Sequence, residues 1–295
     1  MTAVPIVMAA HESPARRALR RFLRHRLAIV GVAIIVVVVV ISVFLPLLVP
    51  LEPAKIDLSV KAGQPPGPGY PLGTDTSNRD VWARLVYGGR TSLIVGFGAV
   101  FFAVLIGVVL GGLAGFYGGW IDQVIGRLTD TVLSMPSLLM VIVFVSVVGP
   151  SIGSVIIVIA LLTWPPTCRL VRGQFLSLRE AEFVTAARVI GVRDRAITVR
   201  HLLPNILGPL SVVAAFGVAS AILLEAGLSF LGLGVRPPES SWGVMVNQAQ
   251  SARVLNDQPW IWVPPAAAIA LTVLAVTFVG DGLRDALDPR SQRRA

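Results

Sequence analysis

Catalytic chemistry needs reactive side chains at short, ordered spacings, and this chain holds few. There is no H-E-x-x-H, no G-x-S-x-G and no Cys/His pairing. Cys168 is the single cysteine, so no internal disulfide can form. His11, His25 and His201 lie far apart, and no metal site is expected. A phosphate-cradling loop needs G-x-x-x-x-G-K-[ST]. The two lysines, Lys55 and Lys61, follow Ala54 and Val60, so that loop is missing and no catalytic activity is expected. What remains are isolated carboxylates in apolar surroundings. Glu225 stands inside a long apolar run, and carboxylates in such runs are costly and often functional. It is a candidate for a translocation pathway, where it would bind a cationic cargo group or hold a gate. The alternative is a structural hydrogen bond to a neighbouring helix. Asp130 and Asp281 fall near the ends of apolar runs and read as interfacial contacts rather than a proton relay.

A second kind of chemistry is recognition, and one stretch is built for it. Glu180–Asn205, EAEFVTAARVIGVRDRAITVRHLLPN, interrupts an oily chain with Arg188, Arg193, Arg195 and Arg200. With Arg179 these make five arginines, and placing them at the bilayer centre would cost on the order of 15 kcal/mol. The stretch therefore stays outside lipid. Phe183, Ala186, Ala187 and Ile190 follow the i, i+3, i+4, i+7 pattern of one helix face. Gly191 breaks the run, Ala196 and Val199 begin a second apolar stripe, and Leu203-Pro204 ends it. The expected shape is helix, glycine bend, helix, then re-entry into the membrane. Its apolar face would lie on the membrane surface or dock on a partner protein.

The elements that must carry these residues follow from composition. The 295 residues are 55% hydrophobic and 14% charged, with mean hydropathy +0.78, where soluble domains carry about 25% charged residues. Six runs are long enough to span: 27–49, 91–116, 128–148, 153–171, 206–233 and 261–283. Lipid offers no hydrogen-bond partners, so each must be helical. The chain is read as an all-α polytopic membrane protein with six transmembrane helices. Placing the N-terminus inside puts eighteen of the 25 basic residues on that side and seven on the other, the arrangement that the positive-inside rule favours. Both termini are then cytoplasmic, and the net charge of +9 reflects orientation and gives no reason to expect nucleic acid. The expected organisation is a basic cytoplasmic N-terminus (1–26) and a retained first span (27–49). An extracytoplasmic loop (50–90) follows, then a five-helix core (91–283) with a cytoplasmic loop at 176–204, and a cytoplasmic tail (284–295).

Three blocks carry a family resemblance. TAARVIGVRDRAITVRHLLP resembles the EAA loop of ABC-importer permeases: Ala186, Ala187, Gly191, Leu203 and Pro204 fall in register. Thr185 replaces the glutamate and His201 the isoleucine, departures common in the dipeptide/oligopeptide branch. PLGTDTSNRDVWARLVYGGRTSL (71–93) is similar to the block before that branch's second helix, and LLEAGLSFLGLGVRPPESSWGVM (223–245) to the block ending its fifth. Asn78 stands where the family usually has glycine; asparagine tolerates the left-handed backbone better than most residues. Asp75, Arg79 and Asp80 are expected to cross-link this turn by ion pairs.

The resemblance implies a type I ABC-importer permease fold in the bacterial cytoplasmic (inner) membrane, of the C-type subunit. It implies a homologous B-type permease beside this chain, one or two ATPase subunits below, and an extracellular substrate-binding protein outside that could touch the 75–80 turn. ATP and Mg would be bound by the ATPases, and no cofactor by this chain. The EAA loop would be the coupling helix. With Thr185 in place of glutamate, coupling would rest on packing by Ala186 and Ala187 and on Arg188 or Arg193. The first span would pack on the partner permease's flank. Cargo of close relatives includes peptides, nickel chelates, glutathione and opines. The competing class is a stand-alone secondary transporter or channel, for which Glu225 is the one ion-coupling candidate.

Overall fold

The computed structural model describes residues 14–236 and 238–287. The expected C-terminal tail beyond 287 and the first 13 residues of the basic N-terminus lie outside the described residues. A short basic helix, α1 (Pro14–Phe22), leads into α2 (Arg26–Val39), a π turn (Val40–Phe44) and α3 (Leu45–Leu48). These last three form one apolar helix long enough to cross a membrane. His25 caps it: its Nδ1 accepts from the Ala28 N–H at 3.1 Å. This first helix lies on the last one of its own chain, α14 (Pro259–Leu287). A Cβ on Gly31 would stand 2.5 Å from the Ala275 carbonyl oxygen, and one on Gly282 would collide with Ala28. Small residues on both helices let the two backbones approach within this chain, while Ile29, Val36 and Val37 of the first helix stay exposed.

The core is arranged around α4 (Val81–Tyr117), 37 residues without a break. It starts ten residues before the expected Thr91. Asp80 caps it, accepting from the Trp82 N–H at 2.9 Å. Arg84 in its first turns is buried against Asp75 rather than exposed to lipid. Gly107, Gly111 and Gly115, one turn apart, face α8 (Pro165–Leu178): a Cβ on Gly111 would sit 2.5 Å from the Cys168 carbonyl. These three glycines therefore serve close helix packing.

The third and fourth runs are each broken. α5 (Gly119–Ser134) and α6 (Ser137–Val148) meet at 92° across Met135-Pro136, and α7 (Ile152–Thr163) meets α8 at 43° beside Pro165-Pro166. No straight span occupies 128–148. Proline lacks the N–H that would continue the ladder, which places the breaks. Among the described residues four helices are long enough to span, or six if each bent pair is one span. α9 (Glu182–Val189) and α10 (Asp194–Ile197) form the basic hairpin, followed by a π turn (Thr198–Leu202) and α11 (Leu203–Phe230). On the other side, the loop after α11 holds two unanticipated short helices, α12 (Trp242–Asn247) and α13 (Ala252–Asp257). Residues 50–80 are ordered turns, with Gly63, Gly69, Gly73 and Asn78 at positive φ.

Candidate functional site

The hairpin turns where expected. Gly191 has φ +80°, and a Cβ there would meet nothing within 4 Å. It is required for its backbone angle, not for space. Its N–H donates to the Arg188 carbonyl at 3.0 Å, and the Val192 N–H donates to that of Ala187 at 3.0 Å. This is the paired closure of a Schellman C-cap, which satisfies carbonyls left free at the helix end.

The return arm differs from expectation. Leu203-Pro204 does not end a helix: Asp194–Phe230 is one continuous helix. The π turn explains it. The Leu203 N–H donates five residues back, to Thr198. This shifted register just ahead of Pro204 accommodates the residue that has no N–H to give. One rod therefore runs from the basic hairpin to the far side of the membrane.

The packed face of α9 also differs. Of the stripe Phe183, Ala186, Ala187 and Ile190, only Ala187 is buried; Val184 joins it. These two pack with Ile197 and Leu202 against Phe116, Val171 and Phe175. Burying an aliphatic side chain is worth about 1.5–3 kcal/mol, so Val184, Ile197 and Leu202 fasten the hairpin to the C-terminal parts of α4 and α8. Thr185 and Ala186 stay exposed. So do Phe183, Val189 and Ile190, the last at 78%. The Arg188 guanidinium lies 5.5 Å from the Phe116 ring centre, a cation–π distance. Arg193 is exposed at the N-cap of α10. The hairpin thus shows two apolar faces, one taken by its own chain and one open.

Beside it, α5 and α8 are joined by two ion pairs. Asp122 binds Arg172 in bidentate fashion, with Nη2–Oδ2 at 2.7 Å. Arg169 Nη2 donates to Asp130 Oδ1 at 2.5 Å. These residues border a polar cavity of about 330 Å³. Asp130 is an exposed ion-pair member, and Asp281 is exposed.

At the end of the molecule away from the hairpin, Asp75 is buried. Its Oδ1 accepts the N–H groups of Ser77 (2.8 Å) and Arg79 (3.0 Å); its Oδ2 accepts Arg79 Nε (2.9 Å) and Arg84 Nη1. Burial pushes this carboxyl up, but Arg84, Arg79 and the backbone donors outweigh it and hold it below the ordinary carboxylate range. Asp80 makes no ion pair of this set; it is the cap of α4, and burial raises its carboxyl. Asn78 adopts φ 58°, as its position required, and donates its amide to the Val60 carbonyl. Arg84, the second cation on Asp75, escapes sequence reasoning because it lies nine residues away with no periodicity to link them.

Glu225 is 1% exposed. Ser229 Oγ donates to its Oε1 at 2.7 Å and Ser92 Oγ to its Oε2 at 3.0 Å. Its two oxygens each accept from a serine hydroxyl.

Comparison with known proteins agrees with this geometry. Residues 107–293 match the family described as binding-protein-dependent transport system inner membrane component. Residues 13–66 match the N-terminal TM domain of oligopeptide transport permease C. A putative peptide permease protein of Brucella suis is 43% identical over 283 residues, 96% of this chain and 93% of that one. The dipeptide transport system permease protein of Alkalihalophilus pseudofirmus is 43% identical over 278 residues, 94% and 90% of the two chains. The oligopeptide transport system permease protein of Haemophilus influenzae is 38% identical over 276 residues, 93% and 88%. Among solved structures, an inward-facing conformation of the MetNI methionine ABC transporter superposes with TM-score 0.56 at 18% identity, over 69% of this chain and 96% of that one. That last likeness is one of fold.

Proposed function

Because the chain belongs to the binding-protein-dependent transport system inner membrane components, we propose that it is the C-type permease of an ATP-driven peptide importer, coupled to its motor through the 180–204 loop. A homologous B-type permease completes the pathway. One or two ATPase subunits, which bind ATP and Mg, sit under the hairpin, and a substrate-binding protein delivers cargo from outside. Both termini are cytoplasmic. Dipeptides and oligopeptides are the cargo that the relatives' names support.

The observation that carries this reading is the open apolar face of α9. Phe183, Ala186, Val189 and Ile190 are exposed on a helix whose other face is already packed. Arginines at 193, 195 and 200 keep it out of lipid. Such a face suits a groove on a second protein. Thr185 and Ala186 offer small exposed surfaces for close approach, and Ala187 with Val184 holds the helix in place. When the ATPases close, the hairpin is displaced. Because α10 and α11 are continuous, displacement at Gly191 becomes tilt of α11 across the membrane. A stand-alone transporter would need an ion-coupling carboxylate at a lumen, and the serine cage around Glu225 supports the importer instead.

The test is ATP-driven uptake by the reconstituted complex. Ala187→Glu puts a charge into the packed face, and Gly191→Pro removes the left-handed turn. Both are expected to abolish uptake while the ATPase subunits alone keep their turnover. Intact uptake in either variant overturns the coupling assignment.

A further inference from the structure

Two buried polar networks meet at the outer end of the helix that rises from the hairpin. The first is Asp75 with Arg84, whose Nη2 donates to Ser240 Oγ at 3.3 Å. The second starts at the next residue: Ser241 Oγ donates to Ser229 Oγ at 3.3 Å, and Ser229 Oγ donates to Glu225. Ser92 of α4 donates to the other Glu225 oxygen and accepts the Trp242 N–H at 3.3 Å. Asp75, Arg84, Ser92, Glu225, Ser229, Ser240 and Ser241 are all 5% exposed or less. From the outer turn to α11 the path is hydrogen bonds and one peptide bond. Glycines remove any slack around it: a Cβ on Gly243 would stand 2.7 Å from Ala226 Cα, and one on Gly234 2.6 Å from Ser229 Cα. A fully satisfied buried network of this kind is rigid.

The opposite end of the same continuous helix is the hairpin. We propose that the Glu225 serine cage is a positioning joint that locks the outer turn and α12 to α11, so that receptor docking outside changes ATP turnover inside. The proposal rests on the coupling role of the hairpin. Glu225 suits a joint because one carboxylate accepts from two helices at once. Glutamine in its place still accepts on one oxygen, and its amide donates to a serine oxygen that can rotate to receive it. Leucine can do neither. A pathway carboxylate that binds a cationic cargo group would rank these changes differently, since glutamine removes its charge.

The experiment uses the full complex in proteoliposomes, with ATPase turnover measured without and with peptide-loaded binding protein. For Glu225→Leu and for the milder Ser241→Ala, the ratio of stimulated to basal turnover is expected to fall about 3- to 10-fold, with basal turnover kept. Glu225→Gln is expected to keep most of the stimulation and uptake. If Ser241→Ala keeps the full ratio, the joint is refuted, whether or not Glu225→Leu assembles. Loss of uptake in Glu225→Gln with stimulation intact refutes it in favour of a pathway group. Ala187→Glu in the same preparation separates the two readings. If that variant still imports, the coupling reading falls and the joint with it; if it does not, failure of the joint stands alone.

Discussion

The two ends of α11 are held by opposite means. At the hairpin end apolar side chains fasten the chain, and an apolar face is left uncovered: Val184 is fully buried while Ile190, six residues on, is 78% exposed. At the opposite end charged and hydroxyl groups are sealed away, and each has found a partner within the chain. At the Asp75 end the charged groups are paired within the chain; at the hairpin end an apolar face is left exposed. Nonpolar packing tolerates displacement of a helix along its neighbour, whereas a buried ion pair tolerates almost none. The difference assigns motion to one end and fixity to the other.

The largest effect is expected at the sealed end. Asp75→Leu leaves Arg84 buried without its carboxylate, a loss of about 3–5 kcal/mol. Purified subunit should show a sharp drop in melting temperature or fail to accumulate; an unchanged melting curve would break the contrast drawn above. Next comes the fastened face of the hairpin. Val184→Ala should cost roughly 1–3 kcal/mol, since the residue is fully enclosed. Denaturation of the hairpin, followed by hydrogen exchange at 182–197, reads this directly.

The open face should behave in the reverse way. Ile190→Ser is expected to change subunit stability by no more than about 0.5 kcal/mol, while co-purification with the ATPase drops. Were Ile190→Ser as destabilising as Val184→Ala, the two faces would not differ as described. The smallest effect concerns pH. In the outer loop Ser59 and Tyr70 hydrogen bonds hold the Asp57 carboxyl down at about 2, and Asp75 is also lowered, against the push of its burial. A depressed carboxylate supports the fold above its unfolded value, near 3.9, and that support is lost as pH falls through the folded value. The 50–80 turns should therefore keep their hydrogen-exchange protection at pH 5 and loosen only well below 4.

How much of this was readable in the chain varied with the physics involved. Runs such as 27–49 announce a span because apolar length alone decides it. Gly191 was readable because few residues accept its backbone angle, and Asn78 for a related reason. The packed side of α9 was not. Its apolar residues occupy most of the circumference, and periodicity cannot say which side belongs to the same chain. Arg84 was assigned to a loop because charges are excluded from lipid; the carboxylate that lets it enter α4 is set by tertiary folding. The run 128–148 reads as one span because its apolar length is sufficient, while the 92° bend across Met135-Pro136 belongs to the folded chain. Glu225 was noticed for its charge, while the serines that receive it are scattered from 92 to 229.

The seam between Gly31 and Ala275 joins two spans that lie far apart in the chain. During synthesis the leading helix must wait in the bilayer, without its resting place, until some 240 further residues have been threaded in. The Gly31–Ala275 seam therefore closes late in biogenesis, and a product cut short before Ala275 would expose the small residues that line it.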